Sequence, residues 1–129
     1  MSDSGQLFVV GTPIGNLEDI TLRAISTLQN VDMVLAEDTR NSKKLLDAHN
    51  IDTKMISYHE HSSEKDIKRI IDLLLEGKDL ALISDAGTPT ISDPGYGLIR
   101  HCIKNNIIIT PIPGASAITA AMSIAGLPS

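Results

Sequence analysis

Aromatic side chains are nearly missing from this 129-residue chain, which has no Trp, one Phe and two Tyr. Its core must therefore be built from Ile, Leu, Val and Ala, and an aromatic platform for stacking unpaired bases is not expected here. Cysteine is as scarce. Cys102 is alone and cannot close a disulfide within the chain. The N-terminus shows no basic stretch leading into an apolar run, and there is no span of about 18 apolar residues, so the cytoplasm is the expected setting and no membrane contact is expected. Positive charge is also in deficit, with 11 Lys and Arg against 16 Asp and Glu and a net charge of −5. Affinity for a phosphate backbone comes mainly from clustered Lys and Arg, so this balance argues against the chain gripping nucleic acid alone.

What is present is the composition of a folded protein. Hydrophobic residues make up 42% and charged residues 21%, which excludes a disordered chain. The length suits one domain, expected to cover residues 1–129. Short apolar runs at Leu7 to Val10, Met33 to Ala36, Met55 to Ile56, Leu80 to Ile83 and Ile107 to Ile109 are bounded by Gly, Asp or Pro and read as five strands. Helical period lies between them: Ile67, Ile70, Ile71 and Leu74 recur at i, i+3, i+4 and i+7, and Leu98, Ile99, Cys102 and Ile103 follow the same style. Ser63 with Asp66 forms a plausible capping box, Gly77 follows the last apolar turn, and Asp93-Pro94 reads as another helix start. A last helix is expected from about Ser116 to Ala125. Strands joined by helical crossovers imply an α/β fold, a five-stranded, mainly parallel sheet with helices on both faces, Rossmann-like in its three layers.

Ligands of open α/β sheets bind beyond the carboxyl ends of the strands. Three of those ends carry Gly/Pro loops: Gly11-Thr12-Pro13-Ile14-Gly15-Asn16, Ser84-Asp85-Ala86-Gly87-Thr88-Pro89, and Pro111-Ile112-Pro113-Gly114-Ala115-Ser116-Ala117. Tight strand-to-helix turns explain any one of them. Three on one edge suit a small molecule held largely by main-chain groups. The second strand ends in Ala36-Glu37-Asp38-Thr39-Arg40, where an acid could hold ribose hydroxyls; the alternative is a helix N-cap paired with Arg40. The first loop lacks the G-x-G-x-x-G spacing of dinucleotide folds. His59-Glu60-His61 supplies no clear third metal ligand and is not H-E-x-x-H, so no metal is expected. His49 and His101 read as ordinary helix residues, and Cys102 as a buried, inert thiol. Arg40, Lys43 and Lys44 form a basic cluster beside the loops, able to touch phosphate or simply to face solvent; Lys65, Lys68 and Arg69 form a second one farther along.

In order along the chain, LFVVGTPIGNLEDITLRA at 7–24, AEDTR at 36–40, SYHEH at 57–61, SDAGTP at 84–89 with ISDPG at 91–95, and PGASA at 113–117 resemble the ribosomal RNA small-subunit methyltransferase I family of the tetrapyrrole methylase superfamily. The resemblance covers nearly the whole chain, and its motifs are specific only together. It implies a two-domain, homodimeric enzyme that methylates a cytidine 2′-hydroxyl of 16S ribosomal RNA in the small subunit. S-adenosylmethionine would lie in the cleft between an N-terminal α/β domain, the one present here, and a C-terminal domain absent from this chain. By position in the superfamily motifs, Ile14, Thr88, Ile91, Ser116 and Ala117 would line the cofactor, with Asp85, Ala86 and Gly87 adjoining. Ala115 stands where relatives often have Pro.

Methyl transfer from a sulfonium needs alignment and exclusion of water, and no metal. A 2′-hydroxyl also needs a group to take its proton. Asp85, Glu37, Asp38 and His59 are the candidates, with Asp85 first as base or substrate anchor because its loop is expected beside the cofactor. Arg40, Lys43, Lys44 and His59 are the candidates for RNA contact. Two other readings compete: a methylase of the same fold acting on a tetrapyrrole or another small molecule, and a noncatalytic Rossmann-type nucleotide-binding module.

Overall fold

The computed structural model describes residues 3–59, 62–84, 95–116 and 123–126. Its elements alternate as β1 (Leu7–Val10), α1 (Leu22–Asn30), β2 (Met33–Ala36), α2 (Thr39–Ala48), β3 (Met55–Ser57), α3 (Glu64–Leu75), β4 (Leu80–Ile83), α4 (Gly95–Lys104) and β5 (Ile109–Ile112). The strands form one five-stranded sheet in the order β3-β2-β4-β1-β5, and every neighbouring pair is parallel. This is the expected α/β architecture.

The order dictates the layers. From β1 the chain steps toward the β3 edge twice, then returns toward the β5 edge twice. Right-handed crossovers in opposite directions must lie on opposite faces. Accordingly Ala24 and Leu28 of α1 and Leu45 and Leu46 of α2 pack on Val10, Val34, Ala36, Ala81, Ile83 and Ile112. Ile67, Ile70, Ile71 and Leu74 of α3 and Leu98 and Cys102 of α4 pack on Leu7, Leu35, Leu80 and Leu82 on the other face. Alternate residues of one strand thus serve two cores, which is why the central strands are continuously apolar.

Local chemistry sets the helix ends. The Ser63 hydroxyl accepts from Asp66 N while the Asp66 carboxylate accepts from Ser63 N, completing the anticipated capping box. Gly77, at φ +99°, follows the end of α3 in a conformation costly for other residues. Thr21 caps α1 through Ala24 N. The anticipated starts at Asp93-Pro94 and most of the helix expected after Ser116 lie outside the described residues.

The fifth strand starts two residues later and ends three residues later than expected. It runs through Pro111, expected in the following loop, because β5 is an edge strand and hydrogen-bonds on one side only. Ile107 instead closes the end of α4, its N–H donating to Cys102 O at 3.0 Å.

Candidate functional site

Register brings the strand ends level. Ala36 pairs with Ile83, Val9 with Leu82 and Val10 with Ile112, so Glu37, Ser84, Gly11 and Pro113 follow one another along a single edge of the sheet. β2 and β4 are neighbours whose crossovers leave in opposite directions and to opposite faces, and that divergence opens a crevice above their ends.

The β1 loop is pinned on three sides. Thr12, 1% exposed, donates through Oγ1 to Ser84 O at 3.4 Å, joining it to the β4 end. Gly11 N donates to Ile112 O at 2.9 Å, and Gly11 lies so close to Gly114 that a Cβ on Gly11 would come within 2.8 Å of the Gly114 backbone. Two glycines are thus required for the β1 and β5 loops to touch. At the far end, His49 Nε2 lies 2.7 Å from Leu17 O. Within the loop, Asn16 organises a turn, its side chain accepting from Glu18 N and its carbonyl from Asp19 N.

Between this loop and the first turns of α2 lies a groove of about 290 Å³, lined by Thr12 to Leu17, Asn41, Ser42, Lys44, Leu45 and Ser84. Ser42 is one of its buried polar lining residues. That side chain is 4% exposed, and its Oγ has no hydrogen-bond partner among the described residues. A buried hydroxyl left without a partner costs about 1–3 kcal/mol, so such a group is uncommon in a settled core.

Of the expected cofactor residues, Ile14 stands at the rim of the groove, 38% exposed, and Ser116 is exposed on the loop after β5. Asp85, Ala86, Gly87, Thr88, Ile91 and Ala117 lie outside the described residues. Asp38 is the N-cap of α2 and accepts from Arg40 N at 3.0 Å. The cap alternative is therefore realised through the backbone, and Arg40 forms no ion pair among the described residues. Glu37 follows β2 and is half-buried.

The basic cluster divides. Lys43 pairs with Asp47 at 3.3 Å and lines a separate hollow with Asn50 and Asp52, whereas Lys44 borders the groove. His59, half-buried after β3, donates from its backbone N to Ser62 Oγ; Glu60 and His61 lie outside the described residues. The described residues contain no group of three His, Cys, Asp or Glu side chains arranged to hold a metal ion.

Sequence reasoning missed Ser42 and His49. Ser42, Leu45, Leu46 and His49 occupy i, i+3, i+4 and i+7 of α2, so two polar residues sit on its inward stripe. That pattern was a usable signal. His101, by contrast, joins α4 to α3, with Nδ1 2.9 Å from Gly97 O and Nε2 3.4 Å from Glu64. Cys102 is fully buried, and burial pushes its thiol up to about 11.

A family model for tetrapyrrole (corrin/porphyrin) methylases matches residues 6–129. Among the curated proteins, "Ribosomal RNA small subunit methyltransferase I" of Halalkalibacterium halodurans is 56% identical over 98% of this chain and 44% of its own length. The protein of the same name from Thermotoga maritima is 52% identical over 96% of this chain and 56% of its own length. The chain thus spans about half the length of the curated relatives it matches. Among solved structures, a diphthine synthase superposes with a TM-score of 0.77 at 18% identity, covering 96% of this chain and 50% of that one. Uroporphyrin-III-C-methyltransferase from Thermus thermophilus gives 0.71 at 24%, covering 96% and 54%. These two share the fold.

Proposed function

The chain belongs to the tetrapyrrole (corrin/porphyrin) methylase family, and from that premise we propose that it is the N-terminal part of an S-adenosylmethionine-dependent enzyme that methylates a cytidine 2′-hydroxyl of small-subunit ribosomal RNA. The observation that carries this reading is the identity of 56% and 52% with proteins named ribosomal RNA small subunit methyltransferase I, over 98% and 96% of the chain. The enzyme would act in the cytoplasm on the small ribosomal subunit, as a homodimer.

The described residues fit the cofactor. The β1 and β5 loops touch through Gly11 and Gly114, leaving main-chain groups and the apolar side chain of Ile14 at the edge, a surface suited to a small molecule that is part adenosine and part amino acid. Bound there, S-adenosylmethionine supplies a methyl group on a sulfonium with a good leaving group.

The chain's own residues would hold and orient. Ile14, Thr88, Ile91, Ser116 and Ala117 line the cofactor in this reading, with Asp85, Ala86 and Gly87 adjoining, while Lys44 and Arg40 face the RNA. Asp85 takes the 2′-hydroxyl proton on a carboxylate oxygen, or anchors that hydroxyl. Alignment and exclusion of water do the rest.

The test uses the natural full-length enzyme. S-adenosylmethionine should bind without competition from NAD, and methyl label should pass to small ribosomal subunits and not to uroporphyrinogen. Binding of NAD in its place, or label on the tetrapyrrole alone, refutes the proposal. Asp85→Asn should lower turnover far more than cofactor affinity; equal loss of both, or of neither, removes Asp85 from that role.

A further inference from the structure

Resting on the RNA reading above, we infer that the groove between the β1 loop and α2 is a nucleotide subsite. It takes one unpaired nucleotide of the substrate strand, with its base inside the groove and its phosphate at Lys44. Two independent features of the groove point there. The walls are aliphatic, with Ile14 and Leu17 on the loop side, 38% and 47% exposed, and Leu45 on the helix side. Ser42 also lines the groove, and its hydroxyl is buried and unpartnered among the described residues, able both to donate and to accept.

The chemistry favours a base over a phosphate in the interior. A phosphate among Ile14, Leu17 and Leu45 would lose its hydration to aliphatic groups, with only neutral polar side chains such as Ser42, Asn16 and Asn41 in return. A nucleobase offers two apolar faces to those walls and a hydrogen-bonding edge to Ser42. Unpaired RNA strands are read in this way, by seating splayed bases and contacting their edges. The volume of about 290 Å³ accommodates one nucleoside. At the rim, exposed Lys44 makes no ion pair among the described residues, unlike Lys43 one position earlier, which is held by Asp47. His49, seven residues after Ser42, fixes the opposite wall through Leu17 O, so the groove is built before any ligand arrives.

The experiment measures methyl transfer by the natural full-length enzyme to small ribosomal subunits for wild type, Ser42→Ala, Lys44→Ala and Lys54→Ala. Lys54 precedes β3 on the opposite edge of the sheet and matches the change in charge. Ser42→Ala and Lys44→Ala should each raise KM for the subunits by about threefold to tenfold, the scale of one hydrogen bond or one phosphate contact. Affinity for S-adenosylmethionine should stay within about twofold, and Lys54→Ala should match wild type. In Lys44→Ala, the slope of log affinity against log salt should also fall by about 0.7–0.9. Equal effects of Lys44→Ala and Lys54→Ala would reduce Lys44 to general charge and overturn the inference. So would a wild-type KM in Ser42→Ala, or a loss of cofactor affinity there, which would give the groove to the cofactor. A wild-type enzyme that transfers nothing to RNA sinks the functional reading itself, a different result from variants that equal an active wild type.

Discussion

Replacing Gly11 by Ala tests whether the β1 and β5 loops truly meet backbone to backbone. The new Cβ would lie 2.8 Å from both Gly114 Cα and Gly114 N, and 3.4 Å from Ile112 O. Ordinary contact begins near about 3.5 Å, so the two loops must part by roughly half an ångström or more. Neither neighbour is a flexible side chain that can swing aside. Overpacking of this kind costs about 1–3 kcal/mol, which for a domain of this size lowers the melting temperature by roughly 5–15 °C. Gly97→Ala in α4 supplies the opposite sign, since among the described residues its Cβ would meet only Ile67 Cδ1 at 3.8 Å. There the gain in helix propensity should stabilise by about 0.5–1 kcal/mol. Thermal unfolding followed by circular dichroism reads both changes. A Gly11→Ala protein as stable as wild type, or a Gly97→Ala protein that loses as much, would refute the steric argument.

Other perturbations separate the remaining forces. Leu74→Ala, at a fully buried position of α3, should cost about 2–5 kcal/mol in denaturant unfolding, whereas Ser42→Ala, which removes an unpartnered hydroxyl, should leave stability unchanged or raised. Because burial holds the Cys102 thiol up to about 11, iodoacetamide at pH 8 should leave it unmodified in the native protein and alkylate it after unfolding, as read by mass spectrometry. Hydrogen bonds from the Ser63 backbone and hydroxyl hold the Asp66 carboxyl below its usual range. The capping box therefore stabilises above the ordinary Asp pKa and loses that contribution as pH falls through the lowered value. Acid titration should show this loss in wild type and not in Asp66→Asn.

Most of the sheet was readable because β1, β2 and β4 are buried on both faces and must be apolar throughout, as in Leu80–Ile83. The α3 helix was readable because Ser63, Asp66 and Gly77 mark its ends chemically. The end of β5 was not, since a proline is a breaker only where the strand is paired on both sides, and position in the sheet is a tertiary fact. The loops that gather at the site were legible as Gly/Pro segments after strands. Their closest contact, Gly11 against Gly114, joins residues far apart in the chain, and no local pattern shows which glycine faces which. Ser42 and His49 were legible in principle as polar residues on an inward helical stripe, but only the β1 loop folded over α2 explains why they stand there.

The most direct measurement is the chemical position of the transferred methyl group. The natural full-length enzyme is incubated with methyl-labelled S-adenosylmethionine and small ribosomal subunits, the RNA is digested to nucleosides, and the labelled nucleoside is identified by chromatography and mass spectrometry. The account predicts label in 2′-O-methylcytidine. Label on a base, on another nucleoside, or nowhere in the RNA while the enzyme still binds the cofactor would contradict it.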